Sequence, residues 1–425
     1  MIITNYLKNC GYNVIGDDFY NQIALWLSWY RGKVASFHNY FQYNGKKSIP
    51  RSRATLGMAK QVCEQWANLL LSEKVSISLG DKTAERAVRS VLCANNFYVR
   101  ANRLTELTFA LGSGAFVEYL DGGSVQIDYI RADMIFPLSW ENGRITECAF
   151  ASDKYIDGKK CTYINLHLLE DGYYKILNRI IDSGGRELEL PRGMDEVFYT
   201  KNRLPLFQII TPNIVNNFDL DNPMGISVYA NAIDILKGID LVYDSYQNEF
   251  RLGKKRILVP AGMAQMQNYG GAAMPIFDDN DTEFYAMSDK SLTDLREINM
   301  SLRHEPHEKA LQKNLDLLSS KCGLGGAERF RYSRSAVKTA TEVISEKSEL
   351  YQNVKKHEIV LRSALESLVR AVLYLIGMPE CEISVGFDDS IIEDTASIAE
   401  RSMSEFKEGI IDKNEYLEKV YKVIK

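Results

Sequence analysis

The sequence predicts an α+β fold in which helical regions flank a block of antiparallel strands. Two observations carry this prediction. Apolar residues recur at helical spacing up to Leu111 and again from Gly225, but between Ala115 and Phe207 they alternate with polar residues. Turn sequences such as Asp-Gly and Asn-Gly separate the alternating runs, as in β-hairpins. With 425 residues, the chain is long enough for two or three hydrophobic cores.

The N-terminal part is predicted to be helical. Residues 1–40 form short helices with an aromatic cluster, and residues 55–72 form a clear helix with Thr55 as its N-cap. The apolar stripe of that helix consists of Met58, Val62, Trp66, Leu69 and Leu70. A strand, VSISL, follows, and then two helices over residues 83–94 and 99–111.

The central block is predicted to be an antiparallel meander or a small sandwich. Its strands are AFVEYL, SVQIDYI, ITECAFASD, CTYINLHLL, YYKILNRII and EVFYT. A long amphipathic helix is then predicted from Gly225 to Leu252, after the Asn222-Pro223 turn. A Gly/Met-rich insert from Lys254 to Met287 follows, with RILVP and EFYAM as strands.

Two further helices complete the chain's main part. The first begins after Met300, has Leu311, Leu315 and Leu318 on one face, and ends at CGLGG. The second runs from about Ser335 to Ile376 and stops at Gly377-Met-Pro. About forty residues give a rod of roughly 60 Å, which needs neighbours to pack against. The tail from residue 390 is predicted to form short helices with charged faces.

Composition limits the function. A net charge of −5 argues against a protein that coats nucleic acid by bulk positive charge, but it permits one through which nucleic acid slides. No run of about 18 apolar residues predicts a membrane span, and the start lacks the pattern of a signal peptide. The seven scattered cysteines contain no CxxC and favour reduced thiols inside the cell.

Two basic clusters are candidate contacts with nucleic acid. Arg251, Lys254, Lys255 and Arg256 end the helix from Gly225, where cations suit the helix dipole, so either a cap or a contact with phosphate or an acidic partner explains them. The second cluster begins at the glycine-rich break with Gly325 and Gly326 and continues with the cations Arg329, Arg331, Arg334 and Lys338. Basic residues at the start of a helix are unfavourable for its dipole, so their presence needs another explanation. The alternatives are salt bridges to Glu342, Glu346 or a neighbouring subunit, and contact with DNA.

Enzyme signatures are missing from the sequence. It contains no P-loop, GxSxG or HExxH motif. His304-Glu305-Pro306-His307 has no third ligand that suggests zinc, and the acidic run Asp278–Asp281 lacks EF-hand spacing. We therefore expect no catalytic residue, metal or cofactor.

Three stretches resemble the portal proteins of tailed phages, of the type found in siphoviruses of Gram-positive bacteria. LGMAKQVCEQWANLLLSEKVSISL resembles the family's early helix-strand unit, and PNIVNNFDLDNPMGISVYANAIDILKGIDLVYDSYQNEFRLGKKRILVP resembles the entry into its stem. GLGGAERFRYSRSAVKTATEVISEKSELYQNVKKHE resembles its tunnel loop and the following helix. The resemblance covers residues 20–380 and rests on the order of these stretches, because the family has no short diagnostic motif.

The resemblance implies a portal architecture with a helical stem, a small β-containing clip, an α/β wing with one very long helix, and a helical crown. The implied regions are an N-terminal wing region (1–222), stem helix 1 (223–252), clip (253–302), stem helix 2 (303–321), tunnel loop (322–336), long wing helix (337–377) and crown (378–425).

By the same resemblance, about twelve copies form a ring at one capsid vertex, in the virion and, during assembly, in the host cytoplasm. Double-stranded DNA passes through the ring during packaging and ejection. The implied partners are terminase, a head–tail adaptor, and the major capsid and scaffolding proteins, with no membrane. Two alternatives stay open: a phage head-assembly protein without a DNA channel, and a metal-dependent nuclease acting through carboxylates.

Overall fold

The structure is a computed structural model that describes most of the chain. The described residues are 2–43, 45–71, 75–156, 158–253, 256–260, 266–269, 272–275, 284–287, 296–299, 301–325, 329–330, 340–387, 402–407, 411–412 and 415–417.

Helices occur in both halves of the sequence. They are α1 (Ile2–Asn9), α2 (Asp17–Tyr30), α3 (Ala35–His38), α4 (Met58–Leu70), α5 (Lys82–Ala94), α6 (Phe97–Leu111), α7 (Ile233–Leu252), α8 (His304–Lys321) and α9 (Ala340–Leu375). Short helical segments also lie at 402–407 and 415–417. No helix among these described segments is long and apolar enough to cross a membrane.

The strands concentrate between α6 and α7. They are β1 (Asn39–Tyr43), β2 (Ser48–Ser52), β3 (Val75–Leu79), β4 (Gly114–Asp121), β5 (Ser124–Arg131), β6 (Ile135–Glu141), β7 (Arg144–Ile156), β8 (Lys159–Glu170), β9 (Tyr173–Ile181), β10 (Glu187–Leu188), β11 (Val197–Tyr199), β12 (Phe207–Ile210), β13 (Arg256–Pro260), β14 (Met266–Tyr269), β15 (Ala272–Pro275), β16 (Phe284–Met287), β17 (Arg296–Ile298) and β18 (Ile383–Phe387). This mixture of helices and mainly antiparallel sheets confirms the predicted α+β class.

The chain divides into two compact units. Unit 1 comprises Met1–Val34, Gly57–Ile233 and Leu318–Lys425, and unit 2 comprises Ala35–Leu56 and Asp234–Leu317.

In unit 1, α4 has the predicted apolar stripe, with Met58, Val62, Trp66 and Leu70 buried. The predicted N-cap is wrong. Gly57 occupies the N-cap position, with a left-handed φ of 68°, and no side chain caps the first backbone N–H groups of the helix. Thr55 instead donates its hydroxyl to Asp240 in unit 2. The hydrogen bond to a buried carboxylate outweighs the preference of threonine for the N-cap position here.

The antiparallel meander is confirmed in unit 1. Strands β6 to β10 pair in sequence order, β11 joins the edge of β9, and β12, β4 and β5 form a second sheet. Strand β6 was not predicted. It contains Pro137, and its register against β7 shifts between Pro137 and Ser139 and again before Trp140. Proline and the bulge break the local alternation that marks a strand.

A strand that the sequence analysis did not predict occurs after α9, in the stretch that the resemblance assigned to the crown. Residues Ile383–Phe387 form β18 and pair antiparallel with β3, so that Val385 lies opposite Ile77. The two strands are about 300 residues apart in sequence, and among the described strands each pairs with the other alone. Local patterns cannot identify such a partner.

The very long helix is present as α9, which has 36 residues. Its C-terminus has a Schellman motif, since Gly377 has φ 71° and the amide of Met378 donates to Leu373 O at 3.0 Å. The predicted glycine stop is therefore confirmed. The predicted start at Ser335 lies outside the described residues.

The long helix predicted from Gly225 starts later, at Ile233. Residues 223–229 form an irregular segment that is tied to the end of α6. The amide of Val228 donates to Phe109 O at 2.9 Å, and the amide of Gly225 donates to Ser113 Oγ at 3.1 Å. These bonds replace those of a first helical turn, and a short 3₁₀ turn at Ala230–Ala232 leads into α7.

Unit 2 contains the predicted strands RILVP and EFYAM. Strand β13 pairs in parallel with β16 and antiparallel with β17, while β14 and β15 form a separate hairpin. The predicted helix after Met300 is α8. Both predictions for this unit are confirmed at the level of element type.

A buried carboxylate organises the rest of unit 2. Asp240 on α7 is 4% exposed and accepts hydrogen bonds from Thr55 Oγ1 at 3.0 Å and from the amide of Leu56 at 2.8 Å. His38 Nε2 lies 3.0 Å from Oδ2, the same oxygen that accepts from Thr55, while the Leu56 amide donates to Oδ1. One turn further, Asp244 Oδ1 accepts from the amide of Ala54 at 2.9 Å. Segment 35–56 is thereby fastened to α7.

Glu118 is a buried titratable group in unit 1. It lies on β4, and burial raises its pKa to about 8, although the neighbouring Gln208 amide on β12 favours the carboxylate. Neither Glu118 oxygen has a hydrogen bond of ordinary geometry among the described residues. The carboxyl group is therefore protonated in the folded protein at neutral pH.

We expect Glu118→Gln to gain stability relative to the wild type as pH rises. The unfolded glutamate loses its proton near pH 4.5, whereas the folded one keeps it to about 8. The stability contributed by this group is thus complete below 4.5 and declines toward 8, by at most about 1.4 kcal/mol per pH unit. Urea unfolding of both proteins at several pH values measures the difference.

His167 and His357 also affect the pH dependence, because burial lowers the pKa of each to about 3. Their stabilising effect is lost as pH falls below about 6.5. The wild type and the Glu118→Gln variant both contain these histidines, so their effect cancels in the difference in unfolding free energy between the two proteins. A difference that is constant between about pH 5 and 8 would show that Glu118 is ionised in the folded state.

Candidate functional site

The residues predicted to contact DNA are only partly described. Of the cluster after the glycine-rich break, Gly325 and Arg329 are described, while Gly326, Arg331, Arg334 and Lys338 lie outside the described residues. Of the cluster after α7, Arg251 and Arg256 are described, and Lys254 and Lys255 are not. The structure therefore defines the points from which these segments depart.

The segment Cys322–Gly325, here called the loop base, begins as the C-cap of α8. Gly323 has φ 73°, its amide donates to Ser320 O at 3.1 Å, and the amide of Leu324 donates to Ser319 O at 2.9 Å. This is a Schellman motif with glycine at the left-handed position, and Leu324 is buried beside it. The predicted break at CGLGG is confirmed and has a defined conformation.

Three side chains donate hydrogen bonds to carbonyl groups of the loop base. Trp66 Nε1 donates to Cys322 O at 3.0 Å, and Asn353 Nδ2 donates to Gly323 O at 3.0 Å. Ser319 Oγ donates to Gly325 O at 2.9 Å. These carbonyl groups would otherwise lack partners at a helix end. The donors come from α4, α9 and α8, so three helices fix one short segment.

An aromatic cluster buries the first of these contacts. Trp66 stacks on Phe109, with ring centroids 5.4 Å apart, and the His357 ring meets Trp66 edge-on at 4.6 Å. His357 Nδ1 accepts a hydrogen bond from the amide of Asn213 at 2.9 Å, which places its proton on Nε2. With a pKa lowered to about 3, chiefly by burial, this ring is neutral in the folded protein.

Arg329 has a partner that the sequence did not indicate. Its Nη2 donates to Gln65 Oε1 on α4 at 2.6 Å, while its side chain stays exposed. The next residue, Phe330, is buried. The side chains of Glu342 and Glu346 lie outside the described part of the chain, so the predicted salt bridges stay predictions. Gln65 is a neutral amide, so this contact does not compensate the charge of Arg329.

The basic cluster after α7 begins beside an ion pair. Arg251 Nη2 donates to Asn248 Oδ1 at 2.7 Å. Two residues before Arg251, Glu249 pairs with Arg303 at the start of α8, through Arg303 Nε at 3.1 Å and also Nη2. These hydrogen bonds hold the pKa of Glu249 below its usual value. The pair joins the end of α7 to the start of α8, on either side of the β13–β17 insert.

The candidate metal sites of the sequence gain no support. His307 Nδ1 lies 2.6 Å from Arg303 O, one turn earlier in the chain. Within the described ranges, no group of three or more His, Cys, Asp or Glu side chains could hold a metal ion. The acidic run Asp278–Asp281 lies outside those ranges.

Sequence reasoning missed the residues that hold the loop base. Trp66 was predicted only as a core residue of α4, and neither Asn353 nor His357 was singled out. Trp66 and Cys322 are 256 positions apart, and no local pattern links them. The one available signal was a tryptophan in an apolar stripe, because a buried indole N–H requires an acceptor.

We expect Trp66→Phe to loosen the loop base without unfolding the protein. Phenylalanine keeps an aromatic ring beside Phe109 and His357 but removes the donor to Cys322 O. Loss of a buried hydrogen bond costs about 1–2 kcal/mol, which corresponds to roughly five- to thirtyfold easier local opening. Trypsin cleavage after Arg329 and the basic residues that follow should accelerate by a similar factor.

Trp26→Phe is the matched control for this experiment. Trp26 is 1% exposed and lies on α2, in the same unit. It loses the same ring volume away from the loop base. Equal acceleration in both variants would mean that global unfolding, and not the loop base, controls cleavage.

Comparison with known proteins decides the family. A family model described as phage portal protein, SPP1 Gp6-like, matches residues 13–424. The chain belongs to the phage portal protein family. Among solved structures, a chain from the virion of a native gene transfer agent particle is similar, with 12% identity and a TM-score of 0.42 over 84% of this chain and 88% of that one. No curated protein matches the chain.

Family membership covers both units of this portal protein, because the match extends over nearly the whole chain. Portal proteins are structural components of the virion. The resemblance to phage portal proteins is therefore confirmed, while the siphovirus type stays a prediction.

Proposed function

We propose that this portal protein forms a closed ring of about twelve subunits at one capsid vertex. Double-stranded DNA enters the head through the ring during packaging and leaves through it during ejection. The observation that carries the proposal is the family match over residues 13–424. In this role the protein acts as a channel and a docking platform and catalyses no reaction.

The regions of the subunit are assigned within this proposal. Helices α7 and α8 are the two stem helices, and the β13–β17 insert between them is the clip. The part of unit 1 up to Phe387, apart from the end of α8 and the loop after it, is the wing, with α9 as its long helix. Two boundaries change from the sequence-based version: stem helix 1 starts at Ile233, and β18 belongs with the wing because it pairs with β3. The crown then begins after Phe387.

The loop base supports a tunnel loop at residues 322–336. A loop that contacts moving DNA needs a fixed origin, and Trp66, Asn353 and Ser319 supply one. The basic residues after it provide local charge in an otherwise acidic chain. Weak, local pairing with phosphates suits sliding, because strong pairing along the channel would hold the DNA in place.

The partners follow from position in the particle. We propose that the clip contacts terminase during packaging and a head–tail adaptor afterwards. The other proposed partners are the major capsid and scaffolding proteins, during assembly in the host cytoplasm. The basic cluster at the end of α7, from Arg251 to Arg256, lies where the stem meets the clip and contacts either DNA phosphate or an acidic partner.

Replacing Arg329, Arg331 and Arg334 with alanine is expected to leave ring assembly intact and to lower DNA packaging or retention severalfold. Arg329 bonds a neutral amide at the surface, so its loss removes charge with little effect on stability. Negative-stain microscopy scores the rings, and nuclease-protected DNA scores packaging. The control variant replaces Arg186, Arg192 and Lys201, which are exposed residues elsewhere in unit 1.

Three outcomes would contradict parts of this proposal. Loss of rings in the arginine variant would make these residues subunit contacts. A stable oligomer without a central hole would indicate a head-assembly protein without a channel. Magnesium-dependent DNA cleavage by the purified protein would indicate the nuclease alternative.

A further inference from the structure

The free edge of β12 borders an open groove in unit 1, here called the β12 groove. Among the described strands, β12 pairs with β4 alone, so its other edge has no neighbouring strand. The groove has a volume of about 680 Å³, and its lining follows the chain from Pro205 to Thr211. A second wall is formed by the face of α9 that carries Ile359, Ser363 and Ser367. The β12 groove therefore lies between a strand edge and a helix.

The strand register shows which backbone groups point into the β12 groove. The amide of Glu118 donates to Leu206 O at 3.1 Å, so Leu206 and Gln208 bond toward β4. Phe207 and Ile209 alternate with them and direct their N–H and C=O groups to the free edge, where no described residue bonds them. Phe207 is only 3% exposed, and a covered backbone group without a partner is costly. These groups therefore need a partner that the described chain does not supply.

Two different elements cover the opposite faces of β12. Leu206 packs with Ala371 on α9, and the ring centroid of Phe207 lies 5.4 Å from that of Phe150 on β7. Successive residues of a strand point to opposite faces. A strand added at the free edge would therefore direct alternate side chains toward α9 and toward β7.

The two sides of the β12 groove differ in chemistry. On the α9 side, Ile359 is apolar and 67% exposed. On the β7 side, Arg144 is exposed and forms no ion pair with a described residue. Arg370 also lines the groove but pairs with Glu380 at 3.3 Å. Since no aspartate or glutamate is among the described lining residues, the groove presents an apolar wall on one side and a cation on the other.

We propose that the free edge of β12 binds an extended, acidic segment of another protein by strand addition. The N–H and C=O groups of Phe207 and Ile209 pair with its backbone. Ile359 and Val360 receive its apolar side chains, and Arg144 binds a carboxylate on the alternate side chains. Nucleic acid does not fit, because its backbone has no amide groups to pair with a strand edge. The inference concerns the single subunit and does not depend on the proposed ring.

A second copy of this chain is a poorer occupant. Residues 187–190 alternate glutamate and leucine and so have the required pattern. However, Glu187 and Leu188 already pair with β9, and Arg179 Nε lies 3.1 Å from Glu187 Oε1. Using this run would break contacts within the other copy, whereas an unpaired segment of a different protein bears no such cost.

A synthetic probe tests strand addition on the full chain. The probe is a fluorescent eight-residue peptide of alternating valine and glutamate, and its binding is followed by fluorescence anisotropy. Two further versions carry N-methyl groups on either all valine or all glutamate amides. Only one set of amides can face β12, so we expect one version to bind about tenfold more weakly or worse and the other to bind normally. Equal effects of the two methylations, or no binding at about 1 mM peptide, would overturn the proposal.

Variants of the protein locate the binding site. Ser363→Trp fills the β12 groove and should weaken binding of the unmethylated peptide at least about tenfold. Gln352→Trp is its control, because Gln352 is exposed on the same helix outside the groove lining. Arg144→Ala should weaken binding severalfold, whereas Arg192→Ala, at another exposed position of unit 1, should not. Unchanged thermal unfolding shows that the variants fold, and equal weakening by a control and its partner would overturn the proposal.

Hydrogen exchange of residues 207–211 distinguishes the other occupants. We expect rapid exchange in the free protein and protection upon addition of the peptide. Slow exchange in the free monomer would mean that the chain itself fills the β12 groove, and protection only where the chain self-associates would mean that a second copy does. Displacement of the peptide by duplex DNA would make the groove an anion site. Each of these three results would overturn the proposal.

Discussion

Gly225→Ala should destabilise unit 1 by about 3 kcal/mol, the upper end of the usual cost of overpacking, because the position is enclosed by backbone. A Cβ added at Gly225 would lie 2.9 Å from Thr211 Cβ and still closer to the carbonyl oxygen of Gly112. Neither neighbour is the end of a flexible side chain, so the backbone itself would have to move. Urea unfolding of the purified protein measures the loss.

Gly122→Ala is the matched control for this prediction. Gly122 has a φ of 55°, and no atom lies within 4 Å of an added Cβ. Alanine there bears only the cost of a left-handed backbone, about 1–2 kcal/mol. Gly225 has no such backbone conformation, so the two variants separate steric clash from backbone strain. Similar small losses at both positions would show that the 112–225 contact adjusts easily.

The contact between Gly112 and Gly225 also sets the start of α7. Gly112 ends α6 with a φ of 89°, and an added Cβ there would lie 2.7 Å from Ile226 Cα. The two backbones therefore meet without side chains between them. This close approach places residues 225–229 against α6 and delays the helix that the sequence predicts from Gly225.

Asp240→Ala should cost unit 2 about 3–5 kcal/mol. Asp240 is 4% exposed, accepts hydrogen bonds from the Thr55 hydroxyl and the Leu56 amide, and contacts His38. Removing the acceptor would leave several buried polar groups without it, and such losses cost more than the net value of the bonds. Hydrogen exchange of residues 35–56, together with urea unfolding, should show the release of this segment.

Two further variants sharpen the test of Asp240. Asp234→Ala, on the same helix with a side chain that is 94% exposed, should cost less than about 0.5 kcal/mol. Asp240→Asn keeps one carbonyl oxygen and should lie between the two. If Asp240→Ala leaves exchange in residues 35–56 unchanged, the carboxylate does not hold this segment.

The family and the order of elements could be predicted because they depend on local patterns and on the amino-acid sequence of long stretches. Helical stripes such as that of α4 and alternating runs such as β7 to β9 are visible within a single window of sequence. The glycine stops at Gly323 and Gly377 were also predictable, because left-handed C-caps favour glycine strongly. The net charge argued only against a protein that coats nucleic acid by bulk positive charge.

The rest was decided by tertiary structure. The pairing of β18 with β3, the delayed start of α7, and the hydrogen bonds of Trp66 and Asn353 to the loop base all join residues far apart in sequence. Thr55 has the right local chemistry for an N-cap, yet a buried carboxylate from another part of the chain takes its hydroxyl. Local propensities differ by only about 1 kcal/mol or less, whereas a buried polar group without a partner costs about 1–3 kcal/mol. Local sequence therefore determined most of the elements, whereas long-range pairing and packing around buried polar groups decided strands such as β18, the ends of the helices and the contacts that they make.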